Sequence, residues 1–382
     1  MSEIISHRPT WAKINLDNLA FNFRSAKDFI GPGPKYMAVV KADAYGHGAV
    51  ECARRLEAEG VDWFGVALPE EGVELRKAGI GKPLLCLGGF WEGQETLALN
   101  YGLTPVIFQF EKAAILNEAA ASRGTDVSIH VKVDTGMGRI GVRFDEVTDF
   151  AERLRALTHL RVEGVMTHFA AADNLEQTDF TNLQIERFNS AVEIFREKGF
   201  SPAYLDLANS PGAVVHPASR GNLVRLGGIL YGLGGDVLPG GVAKPELKPV
   251  MSLHSKIAQL KSVPAGETIG YGRTFATQRD SVIATVPIGY QDGYRRTLSN
   301  IGRAIVRGSY APVAGRVSMD WTMLDITDVE GVQVGDEVTL IGENDGSHIA
   351  AEDLARATGT ISYEITCGIG RRVPRLYKSD IK

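Results

Sequence analysis

Eight short β-type runs, mostly spaced roughly 20 to 40 residues apart, do most to limit the folds open to this 382-residue chain. They are Tyr36–Val40, Trp63–Ala67, Pro83–Leu87, Thr104–Ile107, Val127–Val133, Val162–Thr167, Ala203–Leu207 and Leu223–Leu226. Amphipathic stretches such as Pro69–Ala78, Glu111–Ser122 and Phe180–Lys198 lie between them. Strand–helix alternation argues for a parallel sheet, and eight units over this length fit a closed (β/α)8 TIM-type barrel, with a doubly wound open sheet as the alternative. The pattern changes after Tyr231. Pro239–Pro249 is rich in Gly, Pro and Lys and reads as a linker. Beyond it, Ser252–Lys261, Val282–Val286, Ala304–Val306 and Glu337–Ile341 alternate in character between turns, with one good helical pattern at Ala351–Ala357. The expected organisation is therefore α/β: a barrel over residues 1–245 and a mainly-β domain over residues 246–382. The alternating opening run Thr10–Leu16 is expected to pair with the second domain.

Composition narrows the function. With 44% hydrophobic and 23% charged residues the chain is ordinary globular material. A net charge of −5 argues against a nucleic-acid or anionic-membrane partner. Cys52, Cys86 and Cys367 fit no metal-ligand or disulfide spacing, so no metal is expected, and they point to a reducing compartment. Met1–Pro9 has no sustained apolar core and no run approaches a membrane span, so the expected location is cytoplasmic.

In a (β/α)8 barrel functional residues gather where strands end. Lys41 follows the first run in VVKADAYGHG, where an apolar strand behind it lowers the pKa of its amine. Such an amine serves as a nucleophile or base, most often in a Schiff base with an aldehyde cofactor. Taken alone, a lysine snorkelling off a strand end is the commoner case. Other polar residues fall at equivalent places: Arg139 after the fifth run, His168 after the sixth, Asn209 and Ser210 after the seventh, and Arg225 within the eighth. Gly136-Met137-Gly138-Arg139-Ile140-Gly141 has the GxGxxG spacing of dinucleotide folds, but it follows the fifth strand rather than the first. It reads instead as a tight loop that aims Arg139.

The segments VVKADAYGHG, KVDTGMGRIG, MTHFAAAD, ANSPGA, VRLGGILYG, GYGRTF, IGYQDGYRR and SMD, with Tyr363 after them, are collinear over both expected domains. In them the chain resembles the alanine racemases, pyridoxal-phosphate-dependent enzymes built from a barrel and a β domain and active as homodimers. The resemblance implies an isomerase that interconverts L- and D-alanine, for peptidoglycan supply or alanine catabolism. It implies that Lys41 holds pyridoxal phosphate and acts as one proton-transfer base, with Tyr271 as the second base on the opposite face. A free tyrosine, with a pKa of ~10, is a poor base at neutral pH, and His168 is its implied partner.

Arg225 is implied at the pyridine nitrogen, where many pyridoxal enzymes place a carboxylate. An arginine there weakens the electron sink and suppresses side reactions such as transamination. Tyr45, Ser210 and Tyr363 match hydroxyl contacts to the phosphate, Gly227 and Gly228 its backbone contacts, and Asn209 is implied among the cofactor-binding residues. Gly228 stands where relatives often carry a β-branched residue, a change that a backbone contact survives. Arg139 and the main-chain N–H of Met319 match the substrate-carboxylate site, next to Ser318 where relatives often have cysteine.

Lys132 stands where some relatives carry a carbamylated lysine that orients the neighbouring arginine. Asp173, Tyr290, Arg296, Arg316 and Ile361 match an entrance corridor. Tyr271 and Met319 imply that the β domain completes the site of a partner subunit. Three other readings remain: a broader racemase that also takes serine, a pyridoxal-phosphate amino-acid decarboxylase, and a non-catalytic pyridoxal-phosphate carrier. Arg225 speaks against the decarboxylase, and the second domain speaks against the carrier.

Overall fold

The structure is a computed structural model that describes residues 8–379. It divides into two compact units. One contains Leu19–Ala44 and Ala49–Lys248, and the other the described residues through Asn18, Tyr45–Gly48, and the described residues from Pro249.

In the first unit eight parallel strands form a nearly closed barrel: Lys35–Val39, Trp63–Val66, Leu84–Cys86, Thr104–Ile107, Val127–Asp134, Leu160–Met166, Tyr204–Asp206 and Leu223–Leu226. The eighth strand pairs with the first, Arg225 opposite Met37. Between the seventh and eighth the seam is held by Asn222 N–H to Leu205 O at 3.2 Å and Arg225 N–H to Ala208 O at 2.9 Å. Helices such as Pro69–Lys77, Phe110–Ser122 and Thr178–Glu197 follow the strands. Each barrel strand differs from its sequence-based bounds by at most two residues at either end.

Because successive strand residues point to opposite faces, every second residue lines the barrel interior. At its lower levels this interior is apolar: Met37, Trp63, Leu85, Val106, Met166 and Leu223 form one buried cluster, with Leu87, Phe108 and Tyr204 packed against it. His130 joins this floor, its ring 5.4 Å from that of Trp63 and 5.8 Å from that of Tyr204. Gly164 makes room for it. A Cβ at that position would lie 2.6 Å from the imidazole.

The second unit is mainly β. Its larger sheet runs Ser309–Pro312, Arg303–Val306, Glu337–Asn344, Met251–Lys256, Thr10–Asn15, Arg375–Lys378, with Ser347–Ile349 beside Glu337–Asn344. Thr10–Asn15 pairs antiparallel with Met251–Lys256 and parallel with Arg375–Lys378. A smaller sheet holds Gln259–Val263, Ser281–Val286 and Thr322–Asp325.

Two expectations need correction. Ser252–Lys261 is not one strand, because the chain breaks at Ile257-Ala258 and passes from the larger sheet to the smaller. A second helix, Ser362–Cys367, accompanies Ala351–Thr358; at six residues it is too short to show an amphipathic period in sequence.

Candidate active site

Lys41 leaves the first barrel strand, two residues past Val39. The backbone there is held by Val40 N–H to Gly65 O at 2.9 Å and by the buried Tyr231 hydroxyl, which donates to Val39 O at 2.8 Å. The chain then turns through Ala42, Asp43, Ala44 and Tyr45 with φ of 53–55° at all four. This is a left-handed turn made of ordinary L-residues, each costing roughly 1–2 kcal/mol over the right-handed form. Glu71 helps to hold it. Its carboxylate accepts from Ala42 N–H at 2.8 Å with one oxygen, and from Ala67 N–H at 2.6 Å with the other. Asp43 accepts from Ala49 N–H at 2.8 Å and so starts the next helix.

Across the barrel mouth the inward-facing side chains are charged. Lys132 is buried, and burial together with Arg225, Arg139 and Lys41 pulls its amine down to about 7, Asp206 opposing. Arg225 is 4% exposed and ion-paired to the fully buried Asp206. Its Nη2 donates to Thr167 O at 2.9 Å, Leu207 O at 3.1 Å and His168 Nδ1 at 3.2 Å. Burial, then Arg225, Lys132, Arg139 and Lys41, push His168 well below the usual histidine range, so its imidazole is neutral. A guanidinium only donates, which makes Nδ1 the acceptor and assigns the ring proton to Nε2.

Arg139 is exposed on a loop closed by pairing of Val133 with Val142. The Asp134 carboxylate accepts from Gly136 N–H at 2.9 Å and Gly138 N–H at 3.1 Å, which tightens this loop. Gln184 buttresses the neighbouring strand ends, donating to Thr135 Oγ1 and to His168 O, both at 3.1 Å, and accepting from Ala170 N–H at 3.0 Å. Ser210 Oγ accepts from Gly227 N–H at 2.9 Å, and Gly228 opens the short turn that follows. Asn209 caps the helix Ser210–Val215 through Gly212 N–H at 3.0 Å. Asp173 is exposed on the loop after the sixth strand.

The remaining expected residues lie in the β unit. Tyr45 and Tyr363 come together there with ring centroids 5.3 Å apart. Tyr271 is 71% exposed on a one-turn 3-10 segment, Tyr271–Arg273. The next residue, Gly272 (φ +71°), sits so close to Arg316 that a Cβ would fall 3.1 Å from the guanidinium carbon. Tyr290 N–H donates to Ser318 O at 3.0 Å and Gln291 N–H to Met319 O at 3.1 Å, stitching the Tyr290 turn to the Met319 loop. Asp292 anchors that turn through Arg8 and Gly289 N–H. Arg296 begins a turn whose Ser299 hydroxyl accepts from Val317 N–H at 3.0 Å, so it belongs to the same group. Ile361 is exposed at the start of the helix that carries Tyr363.

Two family models match in order. The N-terminal domain of alanine racemase matches residues 14–234, and its C-terminal domain matches residues 250–377. The chain belongs to the alanine racemase family. It is 46% identical over 375 residues to the alanine racemase of Geobacter sulfurreducens, covering 97% of each chain. The alanine racemase of Clostridium difficile 630 superposes with a TM-score of 0.91 at 40% identity, covering 97% of this chain and 96% of that one. Alanine racemase from Bartonella henselae, solved with covalently bound pyridoxal phosphate, superposes with a TM-score of 0.87 at 29% identity, covering 97% and 99%.

The mouth suits such a cofactor by charge. Lys41, Lys132, Arg139 and Arg225 all act electrostatically on His168, and Asp206 is the carboxylate that acts on Lys132 against them. An anionic phosphate ester and a carboxylate substrate would neutralise that excess. Sequence reasoning missed Glu71, Asp206 and Gln184. Asp206 had a signal, as a lone acid in the apolar run Ala203–Leu207; Glu71 and Gln184 sit on helices among many similar polar residues.

Proposed function

We propose that this isomerase interconverts L- and D-alanine with pyridoxal phosphate, using Lys41 and Tyr271 as proton-transfer groups on opposite faces of the substrate Cα. The bound cofactor would draw electrons from the Cα–H bond and make it acidic. The Arg225–His168 hydrogen bond carries the reading. With Nδ1 occupied by Arg225, His168 offers its Nε2–H as a donor that stabilises a phenolate oxygen, and this is what Tyr271 needs to work as a base. Lys41 acts electrostatically on Lys132 and on His168, and its amine is the proton-transfer group on the other face.

The other residues take supporting roles in this reading. Tyr45, Ser210 and Tyr363 supply hydroxyls to the phosphate, Gly227 and Gly228 supply backbone N–H groups, and Asn209 fixes the loop that carries Ser210. Arg225 holds the pyridine nitrogen as a donor. Arg139 and the Met319 N–H bind the substrate carboxylate. Tyr290, Arg296, Arg316, Asp173 and Ile361 line the approach, and a narrow entry excludes large side chains. A neutral Lys132 amine reacts with CO2 to give a carbamate and a proton, turning a cation beside Arg139 into an anion.

The functional unit in this reading is a homodimer in which Tyr271 and Met319 complete the partner's site. Exposed apolar surface on the β unit supports this: Tyr271, Met319 (51%) and Trp321 (45%) are uncovered. An open groove of about 720 Å³, lined by Ile269, Gly270, Trp321 and Met323 among others, lies beside them. Exposed apolar side chains of this size commonly mark an interface.

Proton NMR of L-alanine with protein and pyridoxal phosphate in D2O tests the activity. Loss of the α-proton with drift to equal enantiomers is expected, and L-serine run in parallel measures selectivity. Exchange with retained configuration would remove Tyr271 from its role, and no exchange would remove the racemase reading. A Lys41→Ala chain mixed with a Tyr271→Ala chain should regain activity in heterodimers; silent, verified heterodimers would refute the shared site.

A further inference from the structure

Lys132 pairs in register with Met166, and Met166 with Asp206. Residues in register across a sheet face the same side, so these three share the interior face of the barrel. Lys132 and Asp206 are two strand spacings apart, about 9.6 Å in the backbone, a gap that an extended lysine and an aspartate together largely close. From the other side, Arg225 Nη1 binds the Asp206 carboxylate and also donates to the Asp206 carbonyl at 3.3 Å. Asp206 is fully buried, and its second oxygen, Oδ2, has no hydrogen-bond partner among the described residues. A buried carboxylate with one idle oxygen is costly unless surrounding charge offsets the loss of water. Arg225 and Lys132 are the cations that face it.

We propose that Asp206 is a positioning residue and counter-ion: it clamps Arg225 in direction and lowers the positive field at Lys132. The consequence reaches Lys132 in two ways with the same sign. A carboxylate acting on Lys132 favours the ammonium over the neutral amine that captures CO2, and it repels the anionic carbamate once formed. Asp206 therefore limits how far Lys132 is carbamylated and supplies in its own carboxylate part of the negative charge that carbamylation would add. The catalytic consequence rests on the racemase reading of Arg225, whereas the charge role does not.

The probe is 13C-labelled CO2, added to the holoenzyme at a level that only partly fills Lys132 and followed by 13C NMR; Lys132→Met identifies the signal. In Asp206→Asn, of equal size but uncharged, carbamate occupancy at a fixed pH near 6, below the Lys132 value, should rise about two- to fivefold, the response of the neutral amine to half to one unit of pKa. Asp206→Ser, smaller and equally uncharged, should rise with it, which separates charge from shape. In racemisation, Asp206→Asn should lower kcat while KM for alanine stays nearly constant, since Asp206 acts through Arg225 and not on the carboxylate bound by Arg139. Unchanged or lower carbamate occupancy in both variants would overturn the proposal. Failure of the racemase reading would show separately, as wild-type protein that exchanges no α-proton.

Discussion

The floor and the mouth of this barrel are built from the same strands, one inward step apart. Met37 and Val39 lead to Lys41, His130 to Lys132, Met166 to His168, Tyr204 to Asp206 and Leu223 to Arg225. Each step is two residues, about 6.6 Å. Below it, side chains bury apolar surface and stabilise the fold. Above it, the same period carries buried cations, a neutral histidine and a strained left-handed turn. The floor makes the mouth possible: rigid packing fixes the strand ends from which Lys41, His168 and Arg225 project, and it holds Arg225 and Lys41 close enough to lower the pKa of His168.

This contrast yields a pair of opposite outcomes. Lys41→Ala, at the mouth, should reduce racemisation by more than about 10⁴-fold, beyond the loss of a single acid–base group, because both attachment and base are removed. Thermal unfolding should stay within a few degrees of wild type, since the substitution removes a charge from a crowded cationic cluster. Trp63→Ala, on the floor, should do the reverse. A void among Met37, His130 and Tyr204 should lower stability by about 3–5 kcal/mol in denaturant titration. The protein that remains folded should keep kcat within a few-fold. A floor variant that loses activity without losing stability would break the division.

Glu71 sits where the two regions are joined and gives a smaller, sharper effect. Replacing it by Ala leaves the Ala42 and Ala67 N–H groups without their carboxylate and should cost about 1–3 kcal/mol. Amide exchange at those two residues should quicken, and activity should fall more than global stability does. Unchanged exchange at both amides would mean that the left-handed turn holds without Glu71.

The contrast also explains what could be read in advance. The eight barrel strands were legible because each is a β-type run punctuated by Gly, Pro or polar residues, and burial of that run is what makes the strand. Lys41, His168 and Arg225 were legible because a polar residue at the end of an apolar run breaks the pattern. The left-handed turn after Lys41 was not. Ala42-Asp43-Ala44-Tyr45 has no glycine to announce positive φ, and it is held by a carboxylate 29 residues away. The contacts of Asp206 and Gln184 are likewise tertiary: Asp206 meets Arg225 across 19 residues and Gln184 meets Thr135 across 49. Neither separation corresponds to any local period.

His130 gives the finest test, because it is a polar residue that the floor treats as an aromatic. Both ring nitrogens are buried without a hydrogen-bond partner among the described residues, and burial, with Arg225 second, pulls its pKa down to about 3. In the unfolded chain it binds a proton near 6.5, so the folded state gives up that proton. A depressed pKa makes the stability contribution complete above about 6.5; it is then lost as pH falls toward 3. His130→Phe keeps a ring beside Trp63 and Tyr204 and removes two unpaired polar atoms. It should raise stability at neutral pH by about 1–3 kcal/mol and flatten the decline of unfolding free energy between pH 6.5 and pH 3. Denaturant titrations across that range decide the matter. An unaltered slope would mean that His130 is hydrogen-bonded in solution and belongs, by its chemistry, to the mouth.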